Sequence, residues 1–144
     1  KRAAAVVAFE RVPRSEVRHY GIARPRGGGD VFEVADVVEK PSPEDAPSEL
    51  AIAGRYVFAP SIFDALQRTS PGKGGEIQLT DAIRIAIREG GPVYGMCLSE
   101  AERRFDVGNF DSYFRAFVEF ALADEKYGPA LRQTLKRLLD APRS

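Results

Sequence analysis

The chain has 144 residues, 44% hydrophobic and 10% aromatic, which describes a globular protein able to bury a core and not a disordered segment. Lysine plus arginine equals aspartate plus glutamate at 21 each, so no net charge draws the chain to nucleic acid or to an anionic membrane. Cys97 is the single cysteine and His19 the single histidine, which excludes an internal disulfide and leaves little material for Cys–His zinc sites or catalytic triads. No apolar run approaches the roughly 20 residues of a membrane span and no signal peptide is visible, so a cytoplasmic location is expected.

Lys1-Arg2-Ala3 carries no initiator Met and leads directly into Ala4-Ala5-Val6-Val7-Ala8-Phe9. A chain that opens inside an apolar strand reads as a fragment of something longer. Residues 3–12 predict one strand, closed by Pro13, and Ser15-Glu16-Val17 a short turn or helix. Tyr20-Gly21-Ile22-Ala23 predicts a short strand, and residues 24–30 a loop rich in Gly, Pro and Arg. Val31, Val34, Val37 and Val38 mark a longer strand, so the two should pair as a hairpin. Leu50 to Phe58 predicts the next strand, with Gly54 inside it at a bulge or a close backbone approach.

Pro60-Ser61 should open a helix through Ile62, Phe63, Leu66 and Gln67. Ile77 to Glu89 has helical apolar spacing and stops at Gly90-Gly91. Val93 to Leu98 predicts a strand, and Arg104-Phe105-Asp106-Val107 a short one. Asn109 is a candidate N-cap. Behind it Phe110, Tyr113, Phe114, Phe117, Val118 and Ala121 fall on one helical stripe, expected to be core or an interface. Gly128-Pro129 precedes a last amphipathic helix with Leu131, Leu135, Leu138 and Leu139. The fold class is α/β, without internal repeats.

The central stretch is Val37-Val38-Glu39-Lys40-Pro41. Strand neighbours point to opposite faces, so Glu39 and Lys40 cannot line one pocket by simple alternation. Proline biases the residue before it to extended or polyproline conformation and removes a donor, so the strand should end or bulge at the sheet rim. A carboxylate there can accept hydrogen bonds from sugar hydroxyls, and an ammonium suits a phosphate. A solvated pair at a strand end explains the same residues. Asp106-Val107-Gly108-Asn109 is either a carboxylate for a hard divalent cation or a turn-forming aspartate. Tyr20-Gly21 is either a ligand-facing turn or a plain strand start. Gly72-Lys73-Gly74-Gly75-Glu76 fits no phosphate-loop fingerprint and is a pocket lip or a plain loop.

Taken in order, Val38-Glu39-Lys40-Pro41, Leu50 to Val57, Gly75-Glu76-Ile77-Gln78-Leu79-Thr80-Asp81-Ala82-Ile83 and Asp106-Val107-Gly108-Asn109 resemble the carboxy-terminal half of bacterial UTP–glucose-1-phosphate uridylyltransferases, in the sugar-nucleotidyltransferase group. The resemblance covers nearly the whole chain, and the run from Gly75 to Ile83 is its most specific part. It implies a Rossmann-like mixed sheet with flanking helices, with the amino-terminal nucleotide-binding half absent, so that residues 1–144 form the sugar-binding and assembly half.

It further implies that Glu39 bonds glucose hydroxyls, that Lys40 contacts phosphate as the catalytic cation, and that Tyr20, Gly21 and the backbone at Gly54 line the sugar site. Asp106 would ligate Mg²⁺. The parent enzyme would join UTP and glucose-1-phosphate into UDP-glucose and pyrophosphate, whereas this chain alone would be inactive. Homo-oligomers are expected, and exposed strand edges and apolar faces should make the isolated chain self-associate. Alternatives are another sugar-1-phosphate or nucleotide, or a non-catalytic interaction module docking through the stripe at 110–121.

Overall fold

A computed structural model describes residues 2–72, 75–99, 101–102, 104–105 and 107–140. The chain divides into two compact units, Lys1–Arg103 and Arg104–Ser144. The first contains five strands, β1 (Ala5–Arg11), β2 (Gly21–Arg26), β3 (Val31–Glu39), β4 (Leu50–Phe58) and β5 (Val93–Cys97), with helices α1 (Ile62–Gln67) and α2 (Leu79–Arg88). A 3₁₀ turn over Arg14–His19 joins β1 to β2. The second unit holds α3 (Phe110–Ala123) and α4 (Gly128–Asp140).

The sheet runs β1-β4-β2-β3-β5 and closes on itself. It is mixed as expected: β1 and β5 are parallel, and every other pair is antiparallel. β1 lies between β4 and β5, which explains why its Val7, Ala8 and Phe9 are consecutive and all buried. The closure is narrow, because β2 and β4 pair only at Ile22↔Ala51.

Two irregularities aim the functional rim. Pairing of β2 with β3 shifts between Arg24↔Asp36 and Pro25↔Val34, which leaves Ala35 unpaired on β3. Proline brings no donor to this ladder, and a bulge is one of the few places a sheet accepts it. The bulge changes the phase of β3: Phe32 and Val34 are buried before it, Val37 after it. Glu39 therefore shares the face of Val37. Unbroken alternation would have put Val38 and Lys40 on that face instead. The second irregularity lies between Val7↔Tyr56 and Phe9↔Ile52, where β4 carries Ala53, Gly54 and Arg55 opposite Ala8 alone. Gly54 has φ +73° there, so the expected bulge is present.

The main core gathers Phe9, Phe32, Val34, Val37 and Ile52 from the sheet with Ile62 of α1 and Ile83 of α2. α2 packs against β3 and α1 against α2. A smaller cluster of Val17, Ile22, Ala46 and Ala51, with Val12 and Tyr20 against it, fills the space under the 3₁₀ turn.

Several boundaries move. β2 runs to Arg26 and the hairpin turn tightens to residues 27–30, while α2 starts at Leu79 and not at Ile77. Arg104, Phe105 and Val107 form no strand; Asp106 lies outside the described residues. Asn109 caps α3 as expected, its Oδ1 accepting from Ser112 N at 2.9 Å. The aromatic stripe of α3 is not core: Phe110 is 80% exposed and Phe117 61%, whereas Ala116 is the buried residue of this helix. The rings instead meet one another along the helix surface, as Phe110 with Phe114 and Tyr113 with Phe117.

Candidate functional site

The site forms where the ends of β2, β3 and α2 converge. Glu39 is the last residue of β3 and pairs with Gly21, the first of β2. Its Oε2 accepts a hydrogen bond of 2.6 Å from Thr80 Oγ1, in the first turn of α2. Gly21 is required by this convergence. A Cβ there would stand 2.9 Å from Ile52 Cδ1, 3.0 Å from Thr80 Oγ1 and 3.2 Å from Glu39 Oε2. What approaches this glycine is the protein's own carboxylate, hydroxyl and Ile52 side chain.

Lys40 departs from the expected extended conformation. Its φ is +45°, the single left-handed non-glycine among the described residues. Its N–H donates to the carbonyl of Tyr20 at 2.9 Å, and buried Pro41 follows, so the chain is pinned on both sides while it turns off the sheet. Left-handed backbone costs an ordinary residue on the order of 1 kcal/mol. This turn is how two sequence neighbours come to face one cleft, which alternation alone would forbid.

Lys40 Nζ stands 3.8 Å from Glu39 Oε1, with the lysine side chain 54% exposed. An ion pair that long and that wet contributes little, so the ammonium is free to bind an anion. The cleft beyond the pair has a volume of about 830 Å³, and its wall includes Arg18, His19, Asp81 and Arg84. Arg84 is already engaged, bonding Asp36 Oδ1 at 3.0 Å and facing Asp81 at 3.9 Å. Lys40 is thus the less committed cation beside Glu39. Tyr56, half-buried and stacked on Phe58, has its phenol pushed above the ordinary value by burial and, secondarily, by the charge of Glu39.

Of the residues singled out from sequence, Glu39, Lys40, Gly21 and the Tyr20 carbonyl come together. The Tyr20 ring packs instead on the Val17–Ile22 cluster. Gly54 lies two residues past Ile52 on β4, at the same rim, where an added Cβ would meet nothing within 4 Å. Asp106 and Lys73 lie outside the described residues, and among the described residues no group of three His, Cys, Asp or Glu side chains is placed to hold a metal. Thr80 was missed as a site residue. It stands within the most specific motif run, but helical spacing makes it one more first-turn residue, and only the 41-residue span to Glu39 gives it a role.

The arrangement offers a fixed carboxylate acceptor and an adjacent cation in an open cleft, a pair able to accept from hydroxyl groups and to hold an anion. Residues 1–122 match the family model described as nucleotidyl transferase, and the chain belongs to that family. More particular likenesses lie within it. A UTP–glucose-1-phosphate uridylyltransferase of Pseudomonas aeruginosa is 45% identical over 112 residues, covering 77% of this chain and 39% of that protein. The UTP-bound UGPase from Acinetobacter baumannii superposes with a TM-score of 0.80 at 31% identity, over 94% of this chain and 46% of that one. A UDP-glucose pyrophosphorylase complexed with UDP-glucose gives 0.75 at 39% identity, over 81% and 44%. The chain therefore spans less than half the length of the relatives it matches.

Proposed function

We propose that the full-length protein transfers a uridylyl group from UTP to glucose-1-phosphate, and that this chain supplies the sugar-phosphate side of the site. The observation that carries the reading is the Glu39–Lys40 pair at the cleft, the carboxylate fixed by Thr80 and the ammonium left available. The names of the relatives support UTP and glucose-1-phosphate as the substrates. The order of the motifs supports reading the chain as a carboxy-terminal half of such an enzyme.

In the reaction an oxygen of glucose-1-phosphate attacks the α-phosphorus of UTP. One P–O bond forms, the bond to the bridging oxygen breaks, and its electrons leave with pyrophosphate. The nucleophile is already ionised at neutral pH, so no activated serine or cysteine is needed. The work left to the protein is alignment and charge neutralisation. Glu39 would accept from glucose hydroxyls and fix the sugar; Lys40 would hold its phosphate and offset charge as the α-phosphorus is attacked. Asp106 would supply a carboxylate to Mg²⁺ in the same proposal, and the ion would offset the charge of the triphosphate. A cytoplasmic homo-oligomer completes it, and the 144-residue chain alone should be inactive.

A second reading keeps the fold and changes the substrates to another sugar-1-phosphate or nucleotide. A non-catalytic module docking through α3 is the third, favoured by the exposure of Phe110, Phe114 and Phe117. Pyrophosphate release from UTP, dependent on added glucose-1-phosphate, separates the three. Release supports the first, release only with a different pair supports the second, and none with any pair leaves the module.

A further inference from the structure

We propose that Thr80 is a positioning residue for sugar selection: its hydroxyl fixes the rotamer of Glu39, so that Oε1 alone is presented to the ligand. The inference deepens the reading above and rests on it for the identity of the sugar phosphate. The geometry has its own basis.

The chain contains three threonines. Thr69, just past α1, and Thr134, within α4, donate to the carbonyl four residues back: Ala65 at 2.9 Å and Ala130 at 3.1 Å. Thr80 is the second residue of α2, where the residue four back lies outside the helix, and its proton goes to Glu39, 41 residues away, at 2.6 Å. A short bond to a carboxylate is of the charge-assisted, stronger kind. Thr80 is 7% exposed, so solvent does not readily replace it.

Glu39 is confined from the opposite side as well. Gly21, its strand partner, leaves only the space that Oε2 and Oγ1 fill. With Oε2 held against Thr80, the oxygen toward Lys40 is Oε1. A sugar phosphate bridging the pair would therefore meet one carboxylate oxygen and one ammonium in fixed relation. A freely rotating glutamate would exchange its two oxygens and lose that register. The side chain acts through Glu39 and does not itself line the cleft, so its removal should affect sugar binding before it affects chemistry.

The test uses Thr80→Val, which keeps the shape and removes the hydroxyl, beside Thr80→Ser, which keeps the hydroxyl, both in the full-length protein. The expected result for Thr80→Val is a rise in KM for glucose-1-phosphate of about ten- to a hundredfold, with KM for UTP and kcat within about threefold. Thr80→Ser should restore KM to near wild type. A valine variant with unchanged KM, or a serine variant as impaired as valine, overturns the proposal. If valine does not fold, Gly21→Ala presses on the same pair from β2 and should raise the same KM selectively; equal losses in all parameters would count against positioning.

A second readout does not need turnover. A crystal structure of Thr80→Val should show the Glu39 carboxylate turned away from the Gly21–residue 80 side. A Glu39 carboxylate in its wild-type place without the hydroxyl means Thr80 does not hold it, and the proposal fails. Wild-type protein that neither binds nor turns over glucose-1-phosphate defeats the substrate reading, while the position of Glu39 in the valine variant still decides the positioning claim.

Discussion

Lys40 concentrates the cost and the use of this site in one residue. Its left-handed backbone is strained, and its side chain is the cation that the proposed chemistry requires. Stability and activity should therefore move in opposite directions on Lys40→Gly. Glycine relieves the strain, so chemical denaturation should show a gain of up to about 1 kcal/mol, while turnover falls with loss of the ammonium. A variant both less stable and fully active would contradict both halves of that statement. Glu39→Gln retains the shape and removes the charge from the bond with Thr80. Affinity for glucose-1-phosphate should drop roughly tenfold by calorimetry, the size of one charge-assisted hydrogen bond; unchanged affinity would remove Glu39 from the sugar site. At this scale the sequence was informative about chemistry and silent about orientation. Glu-Lys-Pro announces a carboxylate and a cation at a strand end, but whether they share a cleft depends on a backbone angle that proline was expected to disfavour.

The element that decides orientation is β3, through its bulge at Ala35. The valines at 31, 34, 37 and 38 revealed a strand, and their uneven spacing already departs from a period of two. Only pairing with Pro25 explains why. The same limit applied to α2, whose apolar face was legible from its spacing while Thr80, on its first turn, looked like an ordinary helix-start residue. On β4, Tyr56 follows the Gly54 bulge and sits half-buried under the influence of Glu39. Its folded pKa is raised, so the folded state retains this proton where the unfolded chain has lost it. The stability associated with the neutral phenol is complete below the unfolded value near 10 and is lost as pH rises through the folded pKa. Above pH 10 the wild type should lose stability more steeply than Tyr56→Phe in parallel denaturation series. Identical slopes would show that the two states bind this proton alike.

For the whole molecule, strand order was less legible than strand positions. Four of the five strands were placed closely, yet closure of the sheet depends on β5 pairing with both β1 and β3 across long separations. No local pattern encodes such pairings. The stripe on α3 shows the complementary limit: its periodicity is that of a buried face, while the structure leaves it outside. Exposed contiguous aromatics mark an interaction surface. This face is the expected surface for self-association. Replacing Phe114 and Phe117 together by serine should lower the mass seen by light scattering, and an unchanged oligomer would move the interface elsewhere.

The most direct measurement of the central claim is pyrophosphate release from UTP and glucose-1-phosphate by the full-length protein, compared with its Lys40→Ala variant. Wild-type turnover should need both substrates, and the variant, while remaining folded, should lose on the order of a hundredfold or more, the effect of removing one preorganised charge-stabilising donor. Near wild-type release by Lys40→Ala would contradict the placement of the catalytic cation, and no release by the wild type would contradict the reaction itself.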